Sequence, residues 1–274
     1  MANQNDELIL AGCGNMGRAM LQGWLANGIL EQNNVHVVEP NDELRQLATN
    51  LGVHTYASAD QLPETLTPSL IVLAVKPQVM FDVTPAYEKY IASGATFLSV
   101  AAGVRVDKFE EALGSATPII RVMPNTPAAI SKGMMVIYSN ANVTDKQNSF
   151  VVKLMQSSGE VAVVDNEALM DAVTAVSGSG PAYIFHFIEA LRDAGVAAGL
   201  PEATAKLLAE QTVYGSACYA HDSDIEPGIL REQVTSPNGT TAAALDVLMN
   251  DGALKKLVAE AVEAAKKRSE ELAD

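Results

Sequence analysis

The fold is decided by the stretch Leu8-Ile9-Leu10-Ala11-Gly12-Cys13-Gly14-Asn15-Met16-Gly17, in which a short apolar run leads into the pattern Gly-x-Gly-x-x-Gly. In a strand–turn–helix unit, Gly12 permits the tight turn, Gly14 lets backbone amides approach a pyrophosphate, and Gly17 lets the helix pack close to the strand. The helix N-terminus adds unpaired N–H groups that suit phosphates. Such turns also occur for packing reasons alone, but the strand before and the helical pattern after this one favour dinucleotide binding.

The composition excludes several classes of partner. The chain has 274 residues, 48% of them hydrophobic, which is enough for one large domain or two ordinary ones. A formal charge of −15 argues against nucleic acid or an anionic membrane as a partner. The two cysteines, Cys13 and Cys218, form neither a disulfide framework nor a metal cluster, so we expect no metal. Without a signal-peptide pattern or a bilayer-long apolar run, we expect a soluble cytoplasmic protein.

Short apolar runs alternate with helical patterns through the first half of the chain. The strands predicted after the first one cover residues 35–38, 70–75, 97–100 and 119–122. This alternation predicts a Rossmann-type, doubly wound, mostly parallel sheet with helices on both faces. The residues at the ends of the five runs are Gly12, Glu39, Lys76, Ala101 and Pro124. They fall at the carboxyl edge, where sheets of this kind bind ligands.

Glu39 is the candidate for choosing between NAD and NADP. It lies about 20 positions after Gly17, where an acidic residue takes the ribose hydroxyls of NAD. A solvated strand end is nearly as good an interpretation of Glu39. Arg45, on the next predicted helix, is the alternative candidate, since it could face a 2′-phosphate instead.

The second half of the chain changes character near Asn166. Two more strands are predicted at 133–138 and 161–164, with a helix at 145–156 between them. After that the helical patterns are 168–176, 181–198, 202–220 and 253–272. We therefore predict a dinucleotide-binding domain at 1–165 and an all-α domain at 166–274. The helical part is rich in Ala and small residues, which favours burial against a second subunit.

Two segments of the helical part combine hydroxyl groups and glycines ahead of a helix. They are Ser177-Gly178-Ser179-Gly180-Pro181-Ala182-Tyr183 and Val234-Thr235-Ser236-Pro237-Asn238-Gly239-Thr240-Thr241-Ala242, and both are predicted to be non-helical. Such a segment presents N–H and O–H donors suited to a carboxylate. Plain N-capping by Ser or Thr is the alternative. Two of them after a dinucleotide fold favour a substrate pocket.

With these segments the sequence resembles the pyrroline-5-carboxylate reductase family, which reduces a cyclic imine acid to L-proline in the last step of proline biosynthesis. The matching runs span almost the whole chain in the family's order. They are 12–17, 74–78, 99–103, 123–127, 177–183 and 234–241. The last run is the most specific, because other Rossmann reductases lack it.

The resemblance implies NADPH or NADH as cofactor and a small imine acid as substrate. The implied cofactor-binding residues are Ala11, Gly12, Cys13, Gly14, Asn15, Met16, Gly17, Glu39, Ala74, Val75, Lys76, Pro77, Ala101, Ala102, Asn125 and Gln233. The implied substrate-binding residues are Glu167, Ser236, Gly239, Thr240 and Thr241. From the sequence alone, Glu167 is better read as a helix-start carboxylate. Helical domains of the family interleave in a homodimer, and dimers can gather into decamers.

The chain departs from the family pattern at two positions. Asn238 stands where the family has Gly, and since Asn tolerates left-handed backbone angles, we expect the turn to survive. Glu39 stands where relatives that use NADPH carry Ser or Thr. A carboxylate there repels a 2′-phosphate, so Glu39 favours NADH against the family's NADPH.

The implied chemistry needs no strong acid or base. A protonated imine is already electrophilic, so the protein need only align donor and acceptor and exclude water. Thr241 is the expected catalytic residue, bonded to the ring nitrogen. The helix predicted at 181–198 lacks the lysine that similar hydroxyacid dehydrogenases use, and His186 there is expected to be a packed core residue. The alternatives are a reductase of six-membered imine acids and a non-catalytic dinucleotide-binding regulator.

Overall fold

A computed structural model describes residues 7–273, and contacts between residues divide the chain into two compact units. The first unit contains the described residues up to Ser179 together with those from Ala265 onward, and the second is Gly180–Ala264. The last strand ends at Val164, close to the boundary expected near Asn166. The units divide later because residues 167–179 and the end of the chain contact the sheet-bearing part.

The first unit is built on one eight-stranded sheet with the order β3-β2-β1-β4-β5-β6-β7-β8. The strands are β1 Leu8–Ala11, β2 Val35–Val38, β3 His54–Tyr56, β4 Leu70–Leu73, β5 Thr96–Ser99, β6 Ile119–Met123, β7 Gly133–Ser139 and β8 Gly159–Val164. All neighbours are parallel except β6 and β7. The strand order reverses direction between β1 and β4, which is the point where such sheets open a ligand crevice.

Alternate residues of the buried strands feed two separate cores. Leu8 and Leu10 join the core that also contains Trp24, whereas Ile9 joins the core on the other face with Phe109. Both faces of a parallel sheet are covered by helices, so successive side chains are all apolar while pointing in opposite directions. This explains the continuous apolar runs, and the predicted α/β fold class is confirmed.

Five helices of the first unit connect its strands along the chain, and a sixth follows β8. They are α1 Asn15–Ala26, α2 Asp42–Thr49, α3 Met80–Val83, α4 Val106–Leu113, α5 Asp145–Gln156 and α6 Met170–Val173. Helix α3 continues as a 3-10 segment, Thr84–Tyr90. Helix α5 begins with a capping box, in which Thr144 and Gln147 bond to each other's backbone N–H.

The second unit is entirely helical among the residues described. Its helices are α7 Gly180–Ala197, α8 Glu202–Asp222, α9 Pro227–Gln233, α10 Thr240–Met249 and the first part of α11 Ala253–Ala273. The end of α11 belongs to the first unit, where the Ser269 hydroxyl donates to Asp171 Oδ1 at 2.6 Å. No described helix is long and apolar enough to cross a bilayer.

The prediction that 177–183 is non-helical is wrong. Residues Thr174–Gly178 form a π-helical turn, and α7 starts at Gly180 directly after it. The turn is held by tertiary contacts, because a Cβ at Gly178 would lie 2.4 Å from Met123 Cε and the Ser177 carbonyl accepts from Asn125 Nδ2. Such widened turns inside helices are frequent at functional sites.

Candidate active site

The glycine-rich turn is shaped by close backbone approach. Gly12 has a φ of +91°, and a Cβ there would lie 2.7 Å from the Ala74 carbonyl oxygen. A Cβ at Gly17 would lie 2.4 Å from the Gly12 carbonyl oxygen. Gly14 is different, because no atom would lie within 4 Å of its Cβ. The first and third glycines are therefore required by packing, and the second keeps open the space through which a pyrophosphate would pass.

The N-terminus of α1 faces the end of this turn. Gly14 is the N-cap residue and makes no side-chain cap, so the first N–H groups of the helix are left for a ligand. Asn15 at the helix start is exposed, Met16 is partly buried against the core, and Gly17 is buried. Backbone donors and the helix dipole suit a diphosphate at this position.

Glu39 lies at the end of β2 with its carboxylate bonded to the backbone of two loops. Its Oε2 accepts from the Cys13 N–H at 2.7 Å, and its Oε1 accepts from the Asn41 N–H at 2.9 Å. The residue is only 6% exposed. The alternative of a solvated strand end is therefore wrong, because the carboxylate is buried and ties β2 to the glycine-rich turn.

Arg45 does not point away from the backbone as a free cation. Its Nη1 donates to the Glu39 carbonyl at 2.9 Å, and its Nη2 lies 2.5 Å from Asp42 Oδ1. Its charge is thus shared with α2 and with the end of β2. Arg45 therefore does not provide a free guanidinium for a 2′-phosphate.

The Cys13 thiol is buried inside the turn. Burial, followed by the negative charge of Glu39, raises its pKa to about 11, while Arg18 opposes this. The thiol therefore stays protonated at neutral pH and is a packing group, since the thiolate is the nucleophilic form. Cys13 contributes to the turn through its backbone N–H.

A cavity of about 450 Å³ opens at the carboxyl ends of β1, β2 and β4. Its lining includes seven of the predicted cofactor residues, Ala11, Gly12, Gly14, Glu39, Ala74, Val75 and Lys76. It also includes residues that the sequence did not single out, Leu44, Ala57, Ser58, Ala59, Val79, Val83 and Tyr87. Most of these are apolar or small, so they form a wall suited to a flat aromatic base. The signal that could have found them is their position after the carboxyl ends of β2, β3 and β4.

The neighbouring strand ends carry the remaining cofactor candidates of the first unit. Pro77 begins a 3-10 turn after Lys76, which is exposed. Ala101 and Ala102 follow β5, the strand next to β4, and the Ala101 N–H donates to Ser99 Oγ at 3.2 Å. These loops lie along one edge of the sheet because β1, β4 and β5 are all parallel.

Asn125 uses its side chain within the protein. Its Oδ1 accepts from the Met134 N–H at 2.8 Å, and its Nδ2 donates to the Ser177 carbonyl at 3.0 Å. The amide thus joins the end of β6 to the start of β7 and to the π-helical turn. As a cofactor-binding residue it would have to act through its backbone or through this loop.

Glu167 lies in the first unit, away in sequence from the other four substrate candidates. It starts the 3-10 turn Glu167–Leu169, as its interpretation as a helix-start carboxylate implies. Its Oε1 lies 2.5 Å from Arg121 Nη1 and also accepts from the Val106 N–H at 2.8 Å. The carboxylate is therefore engaged with the protein itself.

The four other substrate candidates lie together in the helical unit, in the turn after α9 and at the first two residues of α10. Asn238 has a φ of +57°, so the turn keeps the left-handed angle that Asn was expected to tolerate. The Gly239 N–H donates to the Ser236 carbonyl at 3.0 Å, and a Cβ at Gly239 would lie 2.4 Å from Ser236 Oγ. Gly239 is the N-cap of α10 and makes no side-chain cap. The N–H groups of Thr240 and Thr241 are left for an anion.

Two further candidates of the helical unit are exposed within that unit. Gln233 is the last residue of α9. His186 on α7 has a side chain that is 83% exposed and lies 3.3 Å from Glu189 Oε2. The expectation that His186 is packed in a core is wrong for the single chain. The reason is that α7 presents this face outward, with Phe185 and Phe187 also exposed.

A mostly parallel sheet with a glycine-rich turn at its switch point, and a buried acid at the end of β2, is the architecture of a dinucleotide-binding protein. The family model described as pyrroline-5-carboxylate reductase dimerisation matches residues 167–272, and the model described as NADP oxidoreductase coenzyme F420-dependent matches residues 8–103. The pyrroline-5-carboxylate reductase of Escherichia coli is 38% identical over 95% of this chain and 96% of its own length. This chain belongs to the pyrroline-5-carboxylate reductase family.

Solved structures agree with this family. A pyrroline-5-carboxylate reductase from Coxiella burnetii superposes with a TM-score of 0.92 at 35% identity, covering 98% of this chain and 99% of the other. The Plasmodium falciparum pyrroline carboxylate reductase with NADP bound gives 0.86 at 33% identity, covering 99% of both chains. The predicted family and the use of NAD(P)H are confirmed. The dimerisation match also supports a homo-oligomer formed through the helical part.

Proposed function

We propose that this chain reduces 1-pyrroline-5-carboxylate to L-proline with NAD(P)H, the last step of proline biosynthesis. The observation that carries the proposal is the turn at 236–241 in a chain of this family. It ends in an uncapped helix N-terminus that can hold a small carboxylate. The glycine-rich turn of the first unit supplies a site for the pyrophosphate of the cofactor.

Different residues of the turn are proposed to contact different groups of the substrate. The backbone N–H groups of Thr240 and Thr241 hold the carboxylate, assisted by the Ser236 hydroxyl and by the partial positive charge of α10. Gly239 keeps the turn tight because Ser236 Oγ occupies the space of a Cβ. Glu167, named by the family resemblance, is not given a substrate contact here because its carboxylate is already bonded to Arg121 and Val106.

Thr241 is the proposed catalytic residue. Its hydroxyl accepts from the N–H of the protonated ring, or supplies the proton to the neutral imine nitrogen, and in both cases the C=N carbon becomes electrophilic. The bound cofactor supplies the hydride. The protein contributes alignment of the two rings and exclusion of water. This division of labour needs no ionised acid or base on α7.

For the cofactor we propose a preference for NADH. The Glu39 carboxylate is buried at the end of β2, and a 2′-phosphate would have to lie beside it. Arg45 is bonded to the backbone and to Asp42, so it offers little compensation. The remaining cofactor candidates, from Ala11 to Asn125 in the first unit and Gln233 in the helical unit, keep the roles that the family resemblance gives them.

The assembly we propose is a homodimer through the helical domain, with a decamer as the larger form. The helical unit exposes many large apolar side chains, among them Phe185, Leu207, Tyr214 and Val247. Exposing so large an apolar surface to water is unfavourable in free energy, so we expect a second copy of the chain to cover it. We further propose functional domains at 1–165 and 166–274, and the cytoplasm as location, which agrees with Cys13 and Cys218 being free thiols.

Steady-state oxidation of NADH and NADPH with pyrroline-5-carboxylate tests the proposal. We expect turnover with the five-membered imine acid and a higher kcat/KM with NADH. A parallel assay with a six-membered imine acid identifies the substrate ring, and faster turnover there would replace the proposed substrate. Nucleotide binding without turnover on either imine would instead make the chain a regulator. Sedimentation of the same preparation distinguishes a dimer from a decamer.

A further inference from the structure

Arg121 and Glu167 form a buried ion pair in the first unit that the proposed reaction does not use. The Arg121 side chain is 6% exposed and the Glu167 side chain 16%. Taking two charges out of water costs about as much free energy as their attraction returns, so the pair is weak ground for stability alone. The better explanation for this ion pair is that it holds another segment of the chain in position.

The part placed by Glu167 is the start of α4. Val106, the first residue of α4, donates its N–H to the same Oε1 atom that faces Arg121. The residue before it, Arg105, provides no side-chain cap. The first N–H groups of a helix lack partners within the helix and attract negative charge. Glu167 therefore acts as a cap supplied from a distant part of the chain.

A six-residue loop, 100–105, connects β5 to this capped helix. Near its start the Ala101 N–H donates to Ser99 Oγ. In the middle, Gly103 has a φ of +75° and packs under Leu272, since an added Cβ would lie 3.1 Å from Leu272 Cβ. Its far end is held by the bond between Val106 and Glu167. A short loop held at both ends keeps one conformation, because few residues remain free to move.

Tyr138 completes the surroundings of the pair. It is the antiparallel partner of Arg121 across β6 and β7. Burial raises the pKa of Tyr138, the negative charges of Glu167 and Glu110 raise it further, and Arg121 lowers it. The phenol is therefore neutral at physiological pH and adds no charge that would compete for Arg121.

We propose that Glu167 is a positioning residue for the cofactor and not a ligand of the substrate. Through Val106 it fixes the loop 100–105, and with it the backbone of Ala101 and Ala102, which lies at the carboxyl edge beside β4. Arg121 holds the Glu167 carboxylate for this task. The inference rests on the proposed function for one point, that the bound cofactor contacts Ala101 and Ala102.

The test compares Glu167→Ala and Glu167→Gln with the control Glu110→Gln. Glu110 lies on α4 near the same charges, but its Oε1 accepts from Asn140 Nδ2 instead of from a helix-start N–H. We expect Glu167→Ala to raise the dissociation constant of NADH about tenfold and Glu167→Gln about threefold, because the amide oxygen still accepts from Val106. Calorimetric titration of the full-length protein with NADH alone measures this.

The KM for the imine separates positioning from substrate binding. It is expected to stay within about twofold of the wild-type value in all three variants, since no substrate contact is removed. An unchanged NADH affinity in Glu167→Ala would overturn the proposal, and a raised imine KM beside it would make Glu167 a substrate ligand. An equal loss in Glu110→Gln would overturn it too, by showing a general charge effect.

Two further measurements keep the result interpretable. Thermal unfolding is followed for every variant, and if Glu167→Ala does not fold, Glu167→Gln alone decides, with wild-type NADH affinity counting against the proposal. The binding titration requires no imine. A wild-type protein that fails to reduce the imine, while Glu167→Ala still loses NADH affinity, would therefore refute the proposed substrate and leave the positioning role intact.

Discussion

The turn at 12–17 and the turn at 236–241 solve the same problem in different ways. Both place backbone N–H groups of an uncapped helix N-terminus where an anion can bind. In the first, a Cβ at Gly12 would meet the Ala74 backbone of another loop and one at Gly17 would meet the Gly12 carbonyl, so neither position accepts a side chain. In the second, the tight contact at Gly239 is only with Ser236 of the same turn, and most of its residues are exposed within their unit.

The two turns differ in how much of the surrounding site their own unit supplies. The cofactor turn is built by the sheet, since β1, β2 and β4 supply its walls and Glu39 ties two of its loops together. The turn at 236–241 is a local structure on the surface of the helical unit. Its proposed role is to bind the substrate carboxylate, and exclusion of water from the reacting ring then has to come from outside this turn. The following experiments test whether this contrast is real.

Thr241→Ala should have the largest effect. Loss of the hydroxyl beside the ring nitrogen is expected to lower kcat about a hundredfold, the low end of the range for a positioned proton donor. NADH affinity should be unchanged, because the cofactor turn lies in the other unit. Steady-state kinetics with both substrates varied measures the two effects. Thr241→Ser keeps the hydroxyl and should recover most of the rate, and a slow Thr241→Ser enzyme would point to shape and not to the hydroxyl.

Gly17→Ala and Gly14→Ala form a matched pair in the cofactor turn. The methyl group of Gly17→Ala meets the Gly12 carbonyl, so we expect a loss of stability of roughly 1 to 3 kcal/mol, seen by denaturant unfolding. Gly14→Ala meets nothing and should fold normally while weakening NADH binding. If Gly17→Ala were as stable as Gly14→Ala, the packing account of this turn would be wrong.

Glu39→Ser and Glu39→Gln address the charge at the end of β2. Removing the carboxylate should shift the ratio of kcat/KM for NADPH over NADH upward about tenfold, which corresponds to roughly 1.4 kcal/mol of relieved repulsion. Gln keeps an acceptor for the Cys13 N–H, so it separates charge from loop structure. The same shift in both variants identifies the charge as the cause. A shift in Ser alone would identify the loop, and no shift in either would show that the carboxylate does not face the 2′ position.

Asn238→Gly should have the smallest effect. Asn already adopts the left-handed angle at this position, so Gly is expected to change stability by less than about 0.5 kcal/mol and to leave kcat/KM near the wild-type value. Asn238→Val is the strained comparison, expected to cost about 1 to 2 kcal/mol. A valine variant that is as stable and active as wild type would show that this turn does not depend on the left-handed angle.

Patterns that repeat along the chain were predictable, and contacts between distant parts were not. The strand runs and the glycine turn were found because buried parallel strands read as apolar runs and the turn demands glycine. β3 was missed because His54-Thr55-Tyr56 is short and polar. The segment 177–183 was misjudged because its glycines suggested a loop, whereas packing of Gly178 on Met123 holds a helical turn.

The sequence by itself determined the α/β architecture of the first half, the helical second half and the family, because each is written in local periodicity or in motifs of fixed spacing. Only the tertiary structure decided what the carboxylates do. From the sequence alone, Glu39 and Glu167 could each have been a solvated carboxylate or a ligand-binding one. Apart from the nearby Asn41 N–H, their partners lie 26 or more positions away, the Cys13 N–H in one case and Arg121 with Val106 in the other, and no local pattern records a hydrogen bond across that distance.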